Sequence, residues 1–229
     1  MVPDMEWAWP AKDALFAIPG RSTAASVRQT VFSRPRPFHA LPLYLLEKCV
    51  GCSKYFMVFP MTKYGFPPVI DKHARVLILG SMPGEESLAK NQYYANPRNA
   101  FWFILGQLLG FDHGMDYRSR TRMLQEGKIA LWDVLSACQR KGSLDSAIKN
   151  ESIRVNDFET LLGRYSSIET IFFNGAKAEV EYLKRILPAL KIIDRDIHCH
   201  RLVSTSPAMA MMTREQKLAE WQVVLESVK

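Results

Sequence analysis

Residues 75–102 read RVLILGSMPGEESLAKNQYYANPRNAFW, and this stretch decides the fold. Arg75–Leu79 is an apolar run with the character of a buried strand, and it ends in Gly80-Ser81-Met82-Pro83-Gly84. A glycine-rich turn at the carboxyl end of a strand can face backbone N–H groups toward a ligand in an open α/β sheet. The segment Tyr93 through Trp102 (YYANPRNAFW) then supplies flat rings beside amide side chains. Rings that stack on a base, next to groups that both donate and accept hydrogen bonds, are what a pocket for an extruded nucleobase requires.

Working outward, short apolar runs alternate with amphipathic stretches from residue 75 onward, the pattern of an α/β fold with a parallel sheet covered by helices. Asn99–Leu109 reads as a helix with Phe101, Ile104, Leu105, Leu108 and Leu109 on one face. Lys128–Leu135 (KIALWDVL) and Ile168–Phe173 (IETIFF) read as buried strands. Asn174-Gly175 turns the chain into an amphipathic helix that Pro188 stops. Ala189–Ile193 and His200–Ser204 are short strand candidates, the second delivering Ser204-Thr205-Ser206-Pro207-Ala208 to the carboxyl edge of the sheet. Thr213 and Gln216 stand in capping-box positions at the last helix. Strand ends therefore bring the first turn and the late Ser-Thr-Ser-Pro-Ala segment toward one crevice.

The 229 residues are enough to bury a sizeable core, with a net charge of +7 and a pI near 9.3. A basic surface suits an anionic partner such as DNA, although an ordinary solvated surface fits this charge equally well. Cys49 and Cys52 form a CxxC, while Cys138 and Cys199 are scattered. One ligand pair falls short of the two that a structural zinc site shows, so no metal is assigned. No run has the length and apolarity of a membrane span, no signal peptide is visible, and the chain reads as cytoplasmic. Residues 1–60 hold seven of the thirteen prolines and lack a sustained period. They are expected to form a poorly ordered extension, arising from an upstream start codon, ahead of a domain spanning residues 61–229.

Three elements in order, the Gly80–Gly84 turn, the Tyr93–Trp102 segment and Ser204–Ala208, make the chain resemble the uracil-DNA glycosylase superfamily, and within it the hypoxanthine-DNA (deoxyinosine) glycosylase family. The resemblance implies a three-layer αβα sandwich with a central, mainly parallel four-stranded sheet. It implies a monofunctional glycosylase that flips deaminated bases out of double-stranded DNA, hypoxanthine first and uracil after it, working as a monomer without a cofactor. The first turn lacks the carboxylate or asparagine that many glycosylases place there, since Met82 stands where mismatch-uracil relatives have asparagine. The family instead implies Asn99 as the catalytic side chain, through water orientation or donation to a base carbonyl; capping the helix it begins is the competing role. Tyr94 matches a base-stacking aromatic, whereas Tyr93, Phe101 and Trp102 fit packing. Gly80, Ser81 and Met82 match the base-binding turn, with the main-chain N–H groups of Ser81 and Met82 as donors to a base carbonyl. Ser204, Ser206 and Pro207 match a phosphate-gripping motif, and Met209 stands where relatives insert a wedge; packing under the last helix is the alternative for Met209 and Met211.

Asp133 within Trp-Asp-Val suggests a structural strand end, and the Gly142–Ser146 loop suggests no chemistry beyond a helix cap. Two further readings stay open: a uracil or mismatch-uracil glycosylase, and a nucleic-acid-binding module that keeps the fold without catalysis. A serine hydrolase is disfavoured, because the turn around Ser81 lacks the G-x-S-x-G form.

Overall fold

The computed structural model describes residues 61–190 and 196–228. The expected extension, with Cys49 and Cys52, lies outside the described residues. So does most of the strand expected at Ala189–Ile193; Ala189 itself closes a single 3-10 turn, Leu187–Ala189.

In chain order the elements are β1 (Thr62–Tyr64), β2 (Val76–Gly80), α1 (Glu85–Lys90), α2 (Phe101–Leu109), α3 (Tyr117–Glu126), β3 (Ile129–Asp133), β4 (Leu135–Gln139), β5 (Arg154–Val155), α4 (Phe158–Arg164), β6 (Thr170–Asn174), α5 (Ala176–Arg185), β7 (His198–Leu202), α6 (Arg214–Glu220) and α7 (Val223–Glu226). Four strands form one sheet in the order β3-β2-β6-β7, and every pairing is parallel. A second sheet, β1-β4-β5, is antiparallel.

All five residues of β2 and of β3 are buried, as a parallel strand covered on both faces requires. Alternation then sorts the side chains. Leu79 is in register with Trp132 and Phe173, and Trp132 meets Phe158 of α4 while Phe173 meets Tyr182 of α5. The opposite face carries Ile78, Leu131 and Phe172, and two residues further along it carries Gly80, Asp133 and Asn174. Helices α2, α3 and α6 form the other layer, tied by edge-to-face contacts of Phe101 with Trp221 and of Trp102 with Tyr117. The fold is thus the expected three-layer αβα sandwich with a four-stranded parallel sheet, with a small antiparallel sheet added at one side.

Lys128–Leu135, expected as one strand, instead holds all of β3 and the start of β4, with Val134 between them. The Val134 N–H donates to the Gly80 carbonyl at 2.8 Å and the Leu135 N–H to the Ser81 carbonyl at 3.0 Å. The chain follows the bend of the first turn and then leaves the parallel sheet to pair with β1. At the last helix Thr213 and Gln216 form the capping box in full.

Gly80 sits at the rim of the sheet with no room for a side chain. A Cβ there would overlap Asp133 Oδ1 and lie 2.8 Å from the Tyr94 hydroxyl. Gly80→Ala is therefore expected to destabilise the protein by about 1–3 kcal/mol through overpacking. Thermal unfolding of the variant checks this, and an unchanged midpoint would contradict the close approach.

Candidate active site

The order β3-β2-β6-β7 makes the chain leave β2 toward one side of the sheet and β6 toward the other. A crevice opens between two such strand ends, and open α/β sheets bind ligands there. The crevice in this protein is a cleft of about 460 Å³, within the range of about 300–1,000 Å³ typical of small-molecule sites. Gly80, Ser81 and Met82 line one wall. Tyr94 and Asn99 line it from the segment after α1, and Ser204, Ser206 and Pro207 from the loop after β7. Met209 stands just past the lining, 37 % exposed, and Met211 is 92 % exposed, so Met211 does not pack under the last helix.

Tyr94 takes the left-handed conformation, with φ at 51°. This turns its ring flat onto Phe101, with centroids 3.9 Å apart and planes 16° from parallel. Burial pushes the phenol pKa up, and the nearby Asp133 charge adds to it. Tyr93 is a packing residue: it is 2 % exposed, and its hydroxyl reaches the carbonyls of Phe66 and Pro67. Phe101 and Trp102 are likewise in the core.

Asn99 lines the cleft and also braces the start of α2, its Oδ1 accepting from the Phe101 N–H at 3.0 Å. That bond fixes which end of the amide is oxygen. The N-cap position itself is Ala100, which makes no side-chain cap bond, so Asn99 faces the cleft while bonding the first backbone N–H of α2 from one residue further out.

Asn174 is a residue that sequence reasoning treated only as part of a turn. Its Nδ2 donates to the Tyr94 hydroxyl at 3.0 Å and to Thr205 Oγ1 at 2.8 Å, and its Oδ1 accepts from the Thr205 N–H at 2.9 Å. Thr205 is 1 % exposed, and its carbonyl accepts from the Ala100 N–H. Nearby, Lys217 Nζ donates to the Ser206 carbonyl and Trp221 Nε1 to the Val203 carbonyl. The Ser204 and Ser206 hydroxyls accept from the N–H groups two residues on. These bonds set the shape of the loop and leave each hydroxyl proton free to donate.

The Gly142–Ser146 loop, for which the sequence offered only a cap, buttresses the first turn. Ser143 Oγ accepts from the Glu85 N–H at 2.9 Å, and Ser81 Oγ donates to Asp145 Oδ1 at 2.7 Å. Lys63 of β1 bridges the Glu85 carboxylate and the Gly142 carbonyl. Arg140, whose side chain is wholly buried, donates to the Pro83 carbonyl and lies 3.6 Å from Asp145.

Asp133, read from sequence as a structural strand end, lines the floor of the cleft. It is 4 % exposed, and its Oδ2 has no hydrogen-bond partner among the described residues. Burial pushes its pKa up to about 8; the Asp145 charge adds to the rise and Arg140 opposes it. Burial therefore favours the neutral acid over the carboxylate at the floor. Among the described residues no three His, Cys, Asp or Glu side chains cluster to hold a metal ion, and no helix is long and apolar enough to cross a membrane.

Residues 67–229 match the family model of the uracil DNA glycosylase superfamily. The chain belongs to that superfamily. A hypoxanthine DNA glycosylase of Methanosarcina barkeri is 44 % identical over 119 residues, covering 52 % of this chain and 74 % of the relative. One from Methanosarcina acetivorans is 45 % identical over 127 residues, covering 55 % and 79 %. The solution structure of a Methanosarcina acetivorans protein, described as a candidate uracil DNA glycosylase, superposes with a TM-score of 0.61 at 37 % identity, covering 73 % of this chain and 99 % of that one. DNA-glycosylase chemistry, the hydrolysis of an N-glycosyl bond, follows from this membership and these relatives.

The raised pKa of Asp133 carries a stability signature. Above about pH 4 the unfolded chain ionises this carboxyl while the folded protein keeps it protonated, so stability is full below that point and declines until about pH 8. Asp133→Asn is expected to flatten this decline. Thermal midpoints measured at about pH 5 and pH 8 check it, and equal slopes for both proteins would show that Asp133 ionises normally.

Proposed function

We propose that this chain is a monofunctional glycosylase that removes hypoxanthine from deoxyinosine in double-stranded DNA, leaving an abasic site. The single observation that carries the reading is the convergence of Tyr94, Asn99, the Gly80–Gly84 turn and Ser206 on one cleft, although more than a hundred residues separate the first turn from the last loop. The two relatives named as hypoxanthine DNA glycosylases support the choice of base. The protein acts as a monomer in the cytoplasm and uses no cofactor.

The nucleotide swings out of the duplex, and its base enters the cleft with one ring face against Tyr94, which Phe101 backs from behind. Main-chain N–H groups of Ser81 and Met82 hold the base carbonyl. Ser204 and Ser206 donate to the flanking phosphates, the exposed Arg98 adds positive charge at the rim, and Met209 fills the gap left in the duplex. As the bond from C1′ to the base nitrogen breaks, its electron pair moves onto the base and positive charge builds on the sugar. A water then adds at C1′, surrendering one proton while the base takes up another. Asn99 has its oxygen fixed by the Phe101 N–H, so its Nδ2 is free to donate to the departing base and the second lone pair of Oδ1 to orient the water. An amide is a weak base, and the rate enhancement rests on positioning and electrostatic support of the departing base.

The purified protein should release hypoxanthine from a duplex holding one deoxyinosine, read as alkali-labile strand breaks. Asn99→Ala is expected to slow release by about 10²-fold, in line with the loss of one oriented group. Asn99→Asp keeps an acceptor for the Phe101 N–H and so separates the cap from the chemistry. Full activity in Asn99→Ala would return Asn99 to a capping role, and no release of hypoxanthine or uracil by the wild-type protein would favour a non-catalytic binding module.

A further inference from the structure

We propose that Ser81 is the residue that tells a deaminated base from its amino parent, because its hydroxyl is locked by Asp145 into presenting an acceptor and not a donor to the cleft. The inference rests on the glycosylase reading above and assigns a contact within the same site.

The argument begins with the polarity of one hydrogen bond. Ser81 Oγ and Asp145 Oδ1 lie 2.7 Å apart. A carboxylate can only accept, so the single hydroxyl proton of Ser81 is committed to Asp145 and only lone pairs remain on Oγ. Arg140 sustains the arrangement. Its guanidinium is 3.6 Å from the same Oδ1, side-chain exposure is 0 %, and its Nε and Nη1 have no other partner among the described residues. Burial raises the Asp145 pKa, while the Ser81 hydrogen bond and the Arg140 charge favour the carboxylate. Arg140 also holds the Pro83 carbonyl and so fixes the turn on which Ser81 rides. Both Ser81 and Asp145 line the cleft.

Deamination inverts the hydrogen-bonding edge of a base. Adenine presents a ring nitrogen that accepts and an amino group that donates; hypoxanthine presents a ring N–H that donates and a carbonyl that accepts. Cytosine and uracil differ in the same way. A locked acceptor at Ser81, beside main-chain donors of the same turn, complements the N–H and C=O of the deaminated form. The amino parent would set a ring lone pair against the Ser81 lone pairs and its amino hydrogens against main-chain N–H groups. Sites that leave buried polar groups unpaired in this way reject the wrong substrate strongly. The sequence could not show this, because the lock depends on a residue sixty-four positions away.

The test uses the full chain in single-turnover excision from duplexes holding one deoxyinosine or one 1-methyl-2′-deoxyinosine, which keeps the carbonyl but replaces the ring N–H with a methyl group. Wild-type protein is expected to excise deoxyinosine about 10- to 100-fold faster than the methylated base. Ser81→Ala is expected to slow deoxyinosine by a similar factor and to bring the ratio of the two rates near one, while Ser81→Thr, which retains the hydroxyl, keeps the ratio. Asp145→Ala frees the Ser81 proton and should lower the ratio without touching Ser81, which covers the case of a Ser81→Ala protein that does not fold. If Ser81 only braced the turn, both substrates would slow together. A ratio unchanged in Ser81→Ala and Asp145→Ala, or a wild-type ratio near one, overturns the assignment while leaving the glycosylase reading intact. No release from deoxyinosine by the wild-type protein defeats that reading itself.

Discussion

The site depends on a missing side chain. At the carboxyl end of the central strand, Gly80 leaves a gap that Asp133 enters from the neighbouring strand and the Tyr94 hydroxyl enters from the segment beyond α1. Parallel register fixes which residues compete for that gap, since Gly80, Asp133 and Asn174 all project from the same face at the same height. With any larger residue at position 80, either the acid or the tyrosine would have to move, and the floor of the cleft would lose its shape. The left-handed backbone at Tyr94 belongs to the same constraint, because it lays the ring over Phe101 while its hydroxyl meets Asn174.

The small antiparallel sheet explains how a short turn is held firmly enough to serve as a binding surface. Arg140, the residue just past β4, bonds the Pro83 carbonyl, strand β1 carries Lys63 to Glu85, and the loop that follows brings Ser143 and Asp145 to the turn. Exposed ion pairs such as Lys63 with Glu85 contribute little alone. The guanidinium of Arg140, with no side-chain exposure, is shielded from water, and its bond to the Pro83 carbonyl restricts the turn more strongly.

Most of the fold was legible in the sequence because apolar runs and their breaks report directly on a buried parallel sheet. Val76–Gly80, Thr170–Asn174 and the helix ending at Gly110 stand within about two residues of where the pattern put them. Lys128–Leu135 misled, since an apolar run carries no mark of where one sheet hands over to another; the break at Val134 is set by the carbonyls of Gly80 and Ser81. Local motifs likewise led to Tyr94, Asn99 and Ser206, all of which line the cleft. Asp133, Asn174 and Asp145 read only as a strand end, a turn and a cap, and Arg140 not at all, because their importance arises from register and from partners far along the chain. One sign was available: Asp133 and Asn174 both end apolar strands, and polar residues there face the crevice of an open sheet.

The three hydrogen bonds of Asn174 tie the site together. One amide joins the tyrosine that lines the wall behind the first turn to the threonine at the heart of the last loop. The two halves are thereby set at a fixed spacing before any nucleic acid arrives. A base entering such a preorganised slot meets walls already in place, and little of the association energy is lost to ordering the protein around it.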